Sequence, residues 1–443
     1  MSRRTAVATE VLDDPHVTID ARVDADDAVH DADVLREVEV NAGAGMSRRQ
    51  VAMYLVILGA LVALGPFTID LYLPAFPAVA EALATSDAAI QLTLTATAVG
   101  FGLGQLIVGP LSDSVGRRRP LLIMTSVHVV ASVGVALAPS VEWVMAGRVF
   151  QGIGAAGGGV VAMAMVRDMF SGQRLIRMLS RLVLIMGFAP VFAPVIGSQL
   201  LRVVEWRGVF VVLALYGLTM LVVAAVLLRE TLPPTRRGKA SARIVGARYR
   251  RLLGDPGFLG VSLIGAATFT ALFSYLSASS FVLQDQYGLT PQQYGYVFGL
   301  NSVGLIASTQ ISARLMRRMA PSSVTIIGLS IMSVAAAALL GGALLDWGLA
   351  AIVIPLTFLV GSAGLVFPTV QVMALADHPA EAGTAAALIG AVNMGVAGAV
   401  SPLVGVLGNT AFAMGVVMLS SLLVGQASLW LIVRRRMSRA VIA

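Results

Sequence analysis

The 443-residue sequence contains no cysteine, so disulfide bridges, thiolate metal sites and cysteine nucleophiles are excluded. Histidine is nearly as scarce. His16 and His30 fall in the N-terminal segment, leaving only His128 and His378 for the body of the chain, too few for a histidine-rich metal centre. Lys239 is the single lysine among 31 basic residues; genome composition accounts for that bias, and no function is drawn from it. Charge itself is short, at 12% of residues, where a soluble chain carries roughly a quarter. A soluble protein of this length covers its surface with charge, so much of this surface must face something other than water.

In place of charge there is apolar sequence: 57% of residues are hydrophobic and mean hydropathy is +0.85. A spanning helix needs about 20 mostly apolar residues to cross roughly 30 Å of hydrocarbon, so twelve use about 240. The length fits. Apolar runs fall at roughly 51–79, 88–111, 120–139, 141–165, 179–201 and 207–228, then at roughly 256–283, 292–313, 322–343, 348–374, 383–407 and 411–433. Their many glycines and prolines are compatible with membrane helices, where small residues permit close packing and neighbours satisfy the freed backbone groups. The predicted fold class is all-α and integral to the membrane.

A pI near 10.2 invites a nucleic-acid reading, but the distribution of charge excludes it. Residues 1–45 hold eleven acids against four arginines; the chain is +7 overall and this segment −7, so the remainder is +14. The segment has no apolar periodicity and reads as a disordered acidic tail. It has no signal-peptide core, so the first apolar run is expected to be an uncleaved anchor. Met46-Ser-Arg-Arg repeats Met1-Ser-Arg-Arg, which leaves Met46 as a second candidate start. Beyond the tail, 24 basic residues lie in alternate inter-run segments, at 48–49, 117–119, 167–181, 229–254, 314–318 and 434–439, against only Arg202 and Arg207 on the other side. The positive-inside rule then places both termini in the cytoplasm of a bacterial cell membrane, which requires an even number of spans. The loop after the tenth run is the exception, carrying Asp377, His378 and Glu381.

The basic stretch 229–254 divides the chain into a six-helix half (46–228) and a second half (255–436), followed by a short tail (437–443). An internal echo supports the division: Gly104, Ser112, Arg117 and Arg118 recur 200 positions later as Gly304, Ser312, Arg317 and Arg318. Each copy joins the second helix of its half to the third. Two related six-helix halves are a recurring transporter architecture.

The most specific signal is Gly109-Pro-Leu-Ser-Asp113-Ser-Val-Gly116-Arg117-Arg118-Arg119. Gly116 permits a tight turn, and Asp113 can accept hydrogen bonds from arginine or a helix N-terminus. A plain positive-inside loop explains the arginines, but not the Gly-Asp-Gly spacing. At this point the chain resembles the major facilitator superfamily, whose second-to-third-helix loop follows Gly-x3-Asp-x2-Gly-Arg-[Arg/Lys]. Gly109, Asp113, Gly116, Arg117 and Arg118 match it. The resemblance implies a twelve-helix fold with two pseudo-symmetric six-helix halves, and a role for this loop in switching between inward- and outward-open states. The second copy lacks the aspartate (Ala313) and both outer glycines (Thr309, Met316), so it is expected to contribute less.

Arg148 lies eight residues beyond Ser140, where the fourth helix is predicted to begin, which places it about 12 Å inside the membrane. An arginine there costs at least ~2.5 kcal/mol unless paired or wetted, which makes it a functional candidate; snorkelling is the alternative. In the superfamily the fourth-helix pattern Arg-x2-Gln-Gly is linked to proton transfer in antiporters, and Arg148, Gln151 and Gly152 match it. Asp70 is the only acid in the first run. A helix ending near Pro74 leaves it interfacial, whereas one continuing to Ala80 puts it about 15 Å deep. Burial disfavours the charged form of a carboxylate and a neighbouring guanidinium favours it, so proton, arginine and substrate can compete for one group. Asp70-Leu-Tyr72-Leu-Pro74-Ala-Phe-Pro77 resembles the first-helix motif of the Bcr/CflA branch of drug–proton antiporters. The fifth-helix segment around Pro190, Pro194 and Gly197 resembles the antiporter motif ending Gly-Pro-x2-Gly-Gly, with Ala193 and Ser198 replacing two of its glycines.

Tyr72, Gln151, Asn301 and Asn393 are candidates for the substrate cavity, with Gln310 and Gln371 weaker ones; interhelical hydrogen bonds explain such residues equally well. His128 reads as a satisfied structural histidine. Methionine and phenylalanine could line an adaptable cavity, though lipid-facing surface explains them too. The combined expectation is a monomeric, proton-driven exporter of small amphipathic drugs, chloramphenicol- or bicyclomycin-like. It would use the proton gradient and no cofactor or metal, and have lipid, proton and a small molecule as its partners. An importer or exporter of a sugar or metabolite is the alternative. A membrane enzyme or sensor is disfavoured, since neither a P-loop nor a nucleophile–base–metal cluster is present.

Overall fold

A computed structural model describes residues 45–238, 242–376, 378 and 382–433. The acidic tail, Lys239, Asp377, Glu381 and the 434–439 basic cluster lie outside these residues. Among the described residues there is no strand, and twelve long helices account for most of the chain. We number them α1 (Arg48–Ala82), α2 (Asp87–Val115), α3 (Arg118–Ala136), α4 (Val141–Met169), α5 (Gly172–Leu200), α6 (Trp206–Leu227), α7 (Pro256–Gln286), α8 (Pro291–Leu315), α9 (Pro321–Leu344), α10 (Ala350–Ala376), α11 (Thr384–Val406) and α12 (Ala411–Val433). Eleven are long and apolar enough to cross a membrane. The other, α8, has the length at 25 residues but carries Gln292, Gln293, Asn301, Gln310 and Arg314. Its place, packed on α5 and α10, shows why it can be more polar: part of its surface meets protein rather than lipid.

The helix starts follow local chemistry. Ser47 and Thr290 build capping boxes with Gln50 and Gln293, and Asp255 accepts the Gly257 N–H at the start of α7, satisfying donors that helices leave open. Pro256, Pro291 and Pro321 occupy first positions, where a missing N–H costs nothing. The basic stretch 229–254 between the two halves contains a helix, Ala242–Leu253. The echoed segments fall on equivalent elements, with α2 ending at Val115 and α8 at Leu315.

Helices α1–α6 pack among themselves, chiefly α2 on α4, α3 on α4 and α6, and α1 on α4 and α5; α7–α12 do likewise through α9 on α10, α8 on α10 and α7 on α11 and α12. The halves meet mainly along two seams, α5 with α8 and α2 with α11. Cross-half hydrogen bonds concentrate at the end away from the arginine-rich loops. Gln91 binds Asn409 (2.7 Å) and the Gly405 N–H (3.1 Å), Asn409 reaches Asp87 (3.0 Å), and Gln284 reaches the Pro74 carbonyl (3.2 Å). At this end Gln292 also donates to the Ser198 carbonyl at 2.8 Å.

Candidate functional site: a buried arginine at the break in the first helix

Two prolines decide the shape of α1. Pro74 has no N–H for the Asp70 carbonyl, and Pro77 has none for Leu73, so the helix loses two backbone hydrogen bonds close together, which favours a break here. It stops at Asp70, passes through a tight turn at Leu73–Ala75 and resumes at Phe76–Ala82. Both sequence alternatives are thus partly met: the regular helix ends before Pro74, yet the span continues to Ala82. Asp70 is 4% exposed and Tyr72 fully buried. Gly197 of α5 packs directly on the Leu71 carbonyl at this break, so close that a Cβ there would overlap it.

Arg148 fills the space beside the break. It is fully buried, which removes the snorkelling alternative. Its Nη1 donates to the Thr68 carbonyl and to Gln151 Oε1, both at 2.7 Å. The guanidinium lies 5.0 Å from the Tyr72 ring centroid and 5.7 Å from that of Phe210, within cation–π range. Nε and Nη2 have no hydrogen-bond partner. Asp70 is within electrostatic reach of Arg148 and of Tyr275 and Tyr294 in the other half. No ion pair joins Asp70 to Arg148 among the described residues.

A chain of buried hydrogen bonds orients Gln151. Ser132 Oγ donates to the His128 carbonyl (2.7 Å), so its lone pair is free to accept from Gln151 Nε2 (2.7 Å). That leaves Gln151 Oε1 for Arg148. His128 Nδ1 lies 3.3 Å from the Gln151 carbonyl and Nε2 3.4 Å from Ser132 Oγ. His128 is therefore the satisfied structural residue expected, and it also touches the site through Ser132. Thr68, Ser132 and Phe210 escaped sequence reasoning because nothing in their local sequence marks them; only the packing of α1, α3, α4 and α6 brings them to Arg148.

The second half contributes differently. Asn301 donates to Tyr275 Oη (3.1 Å) and accepts from Thr357 (2.7 Å), so it braces α7, α8 and α10. Asn393 packs against Gly265 of α7 with its Oδ1 buried and unpartnered. On α5, Pro194 has no N–H for the Pro190 carbonyl, and Ser302 Oγ of α8 lies 3.5 Å from that oxygen. The proline segment thus forms part of the α5/α8 seam. A cavity of about 720 Å³ between α3 and α4 opens outward and is lined by apolar groups such as Val130 and Phe150; none of the residues above lies in it.

The α2–α3 loop forms a separate cluster. Gly116 has φ +98°, and a Cβ there would sit 2.5 Å from Glu230 Oε2. Arg117 pairs with Asp113, donates from Nε to Asp168 at 2.7 Å and from Nη1 to Ser112 at 2.8 Å. Burial pulls the Arg117 guanidinium down, but its bonds to Asp168 and Asp113 outweigh that and hold it above its ordinary value. Glu230 accepts the backbone N–H groups of Arg117 (2.8 Å), Arg118 (3.2 Å), Thr231 and Leu232 (both 3.0 Å). Arg118 is spent on the Leu228 and Ala225 carbonyls that close α6. Gly109 lies one turn before Asp113, its only near neighbour for a Cβ being Val160. Asp168 and Glu230 were not legible beforehand, each being one acid near the end of an apolar run.

Residues 56–402 match the Major Facilitator Superfamily. The chain is 35% identical to "Uncharacterized MFS-type transporter YdgK" of Bacillus subtilis, over 86% of this chain and 96% of that one. It is 30% identical to "Bicyclomycin resistance protein homolog" of Haemophilus influenzae, over 81% and 90% respectively. The fold matches a D-xylose-proton symporter structure with TM-score 0.68 at 17% identity, covering 86% of this chain and 97% of that one. With its twelve helices in two halves, the chain belongs to the major facilitator superfamily and is a multi-pass membrane transporter.

Proposed function

We propose that this transporter exports small amphipathic drugs in exchange for protons, by alternating access of its two halves. The observation that carries the proposal is Arg148, fully buried with two unpaired guanidinium nitrogens and bonded to the Thr68 carbonyl, two residues before Asp70 at the break in α1. An ionised Asp70 attracts those nitrogens. A proton on Asp70 releases them, and a substrate's polar group can then take their place. Proton and drug thus compete for one arrangement, which couples their fluxes in opposite directions. The relatives named for bicyclomycin and chloramphenicol resistance support the substrate class. The rings of Phe76 and Phe210, tilted against that of Tyr72 with centroids 4.8 and 4.9 Å from it, offer an apolar wall beside the charge.

In this reading the arginine-rich end is cytoplasmic in a bacterial cell membrane, and the transporter works as a monomer energised by the proton gradient alone. The hydrogen-bonded end is then external, so the halves are closed outside. The test is transport in proteoliposomes under an imposed pH gradient. Asp70→Asn should abolish proton-coupled drug movement while the protein still inserts, and Asp70→Glu should retain part of it. Undiminished coupling in Asp70→Asn would remove Asp70 from the mechanism.

A further inference from the structure

The outward-opening cavity between α3 and α4 has a twin. A second, of about 500 Å³, opens between α9 and α10, the corresponding helices of the other half. The first is lined on α3 by positions 126, 127, 130, 131 and 134, and the second on α9 by 330, 331, 334, 335 and 338, each 204 positions later. Across from them stand 146, 147 and 150 of α4 and 354, 355 and 358 of α10, each 208 positions later. The most open lining groups correspond as well: Val130 is 71% exposed and Val334 69%, Phe150 57% and Phe358 61%. A single groove of this kind is a gap in packing. The same eight positions in both halves make it a feature of the repeat.

Small residues create the hollows. Away from the grooves the paired helices touch, so that a Cβ on Gly154 would meet His128 N at 2.6 Å and one on Gly342 would meet the Ala351 Cβ at 2.8 Å. On the groove side Ala131, Gly134 and Gly147 leave the first pair unfilled, and Ala335 and Ala338 the second. An unfilled hollow forfeits the dispersion contacts of its lining. All four helices are long and apolar enough to cross a membrane, so both mouths open on hydrocarbon.

The lining selects the occupant. No charged side chain lines either groove among the described residues. The two polar side chains of the first are already bonded, Ser126 to the Leu122 carbonyl at 2.9 Å and Trp143 Nε1 to the Gly134 carbonyl at 3.0 Å. A drug would find none of the convergent polar groups that orient a small molecule. Trp143 stands at the start of α4, where tryptophan marks the membrane interface. From Gly134 to Leu122 the groove follows α3 for ~18 Å, close to the roughly 15 Å depth of one leaflet of hydrocarbon. That is the shape of an extended chain. A two-fold dimer buries one self-complementary patch, whereas these grooves lie in separate halves.

We propose that each groove seats one acyl chain of a membrane phospholipid. The two chains have different neighbours behind them. On the inner side of the first pair lie His128, Ser132, Arg148 and Gln151; the corresponding positions of the second pair hold Met332, Ala336, Leu356 and Leu359, all buried. The first chain thus lies behind the helices that orient Gln151, and the second behind an apolar pair.

The test is photo-crosslinking of the full chain in phosphatidylcholine nanodiscs that include phosphatidylcholine with a diazirine midway along one chain, with adducts mapped by mass spectrometry. Adducts should concentrate around Phe150 and Phe358. Val130→Trp, which fills the first groove, should remove the adducts there and leave those of the second. Val334→Trp should do the reverse, so each variant shows that the other's loss is local and not a failure to fold. Adducts spread evenly over the lipid-facing helices, or unchanged in the matching variant, overturn the proposal. Loss of adducts on adding chloramphenicol also overturns it and makes the grooves drug sites. The native chain has no cysteine, so Val130→Cys in liposomes reads the remaining occupant: rapid disulfide-linked dimers overturn the proposal and assign the groove to a second copy. Transport is not measured in any arm, so failure here and failure of the export reading are separable.

Discussion

Replacing Ser132 by alanine removes one hydroxyl and unlocks the orientation of Gln151. In the native chain the Ser132 proton is committed to the His128 carbonyl at 2.7 Å, so Gln151 must present its NH2 to Ser132 and its oxygen to Arg148. Without the hydroxyl, the fully buried Gln151 amide either keeps its orientation with an unsatisfied N–H or turns over. The first outcome costs about 1–3 kcal/mol. The second sets donor against donor at Arg148, leaving the guanidinium with the Thr68 carbonyl alone, a loss of similar size. At 1.4 kcal/mol per factor of ten, proton-driven drug transport in everted vesicles should fall about tenfold, with a displaced pH profile. Ser132→Thr keeps a hydroxyl that can reach the same carbonyl and should restore most of the rate. A Ser132→Ala protein that melts earlier yet transports with the parental rate and pH profile would refute the orienting role and leave Ser132 as packing.

Gly116→Ala places a methyl 2.5 Å from Glu230 Oε2 at φ +98°; a cost of about 1–3 kcal/mol should lower the melting temperature and slow transport. Gly134→Ala, which meets open space, should do neither. Burial pushes the Glu230 carboxyl up, but the N–H groups of Leu232, Arg117, Arg118 and Thr231 outweigh it and hold the group below the usual carboxylate range. The folded state therefore binds fewer protons than the unfolded one, so the contribution of Glu230 is complete at neutral pH and fades as pH falls through about 4 and below. Melting curves in detergent should lose stability over that acid range, and Glu230→Gln should flatten the dependence by starting from the weakened state.

How far each residue was legible depended on the range of the interaction that places it. Asp113, Gly116 and Arg117 were legible because a turn and its arginine lie within a few residues of one another. Their partners Asp168 and Glu230 were not, because they come from the end of α4 and the segment after α6, 51 and 113 positions from Arg117. Arg148 was legible as a charge out of place in an apolar run. Its surroundings were not: Phe210 and Ser132 look like ordinary residues of α6 and α3 until those helices are packed. Asn301 fitted a cavity and an interhelical hydrogen bond equally from sequence, and the structure gives it two partners within its own half.

The sequence by itself determined that this chain spans a membrane as paired sets of helices. Hydropathy and arginine placement are properties of each segment against lipid and water, and they need no tertiary contact. Prolines at 74 and 77 marked where α1 loses backbone hydrogen bonds, but left open whether the helix ends near Pro74 or runs on to Ala80. Only the tertiary structure decided what packs against that segment. It set the buried guanidinium of α4 against the carbonyl of Thr68, turned Gln151 through Ser132, and seated Gly197 on Leu71. Those contacts depend on how helices cross, which is fixed by the shapes of all their faces together and is written in no single stretch of sequence.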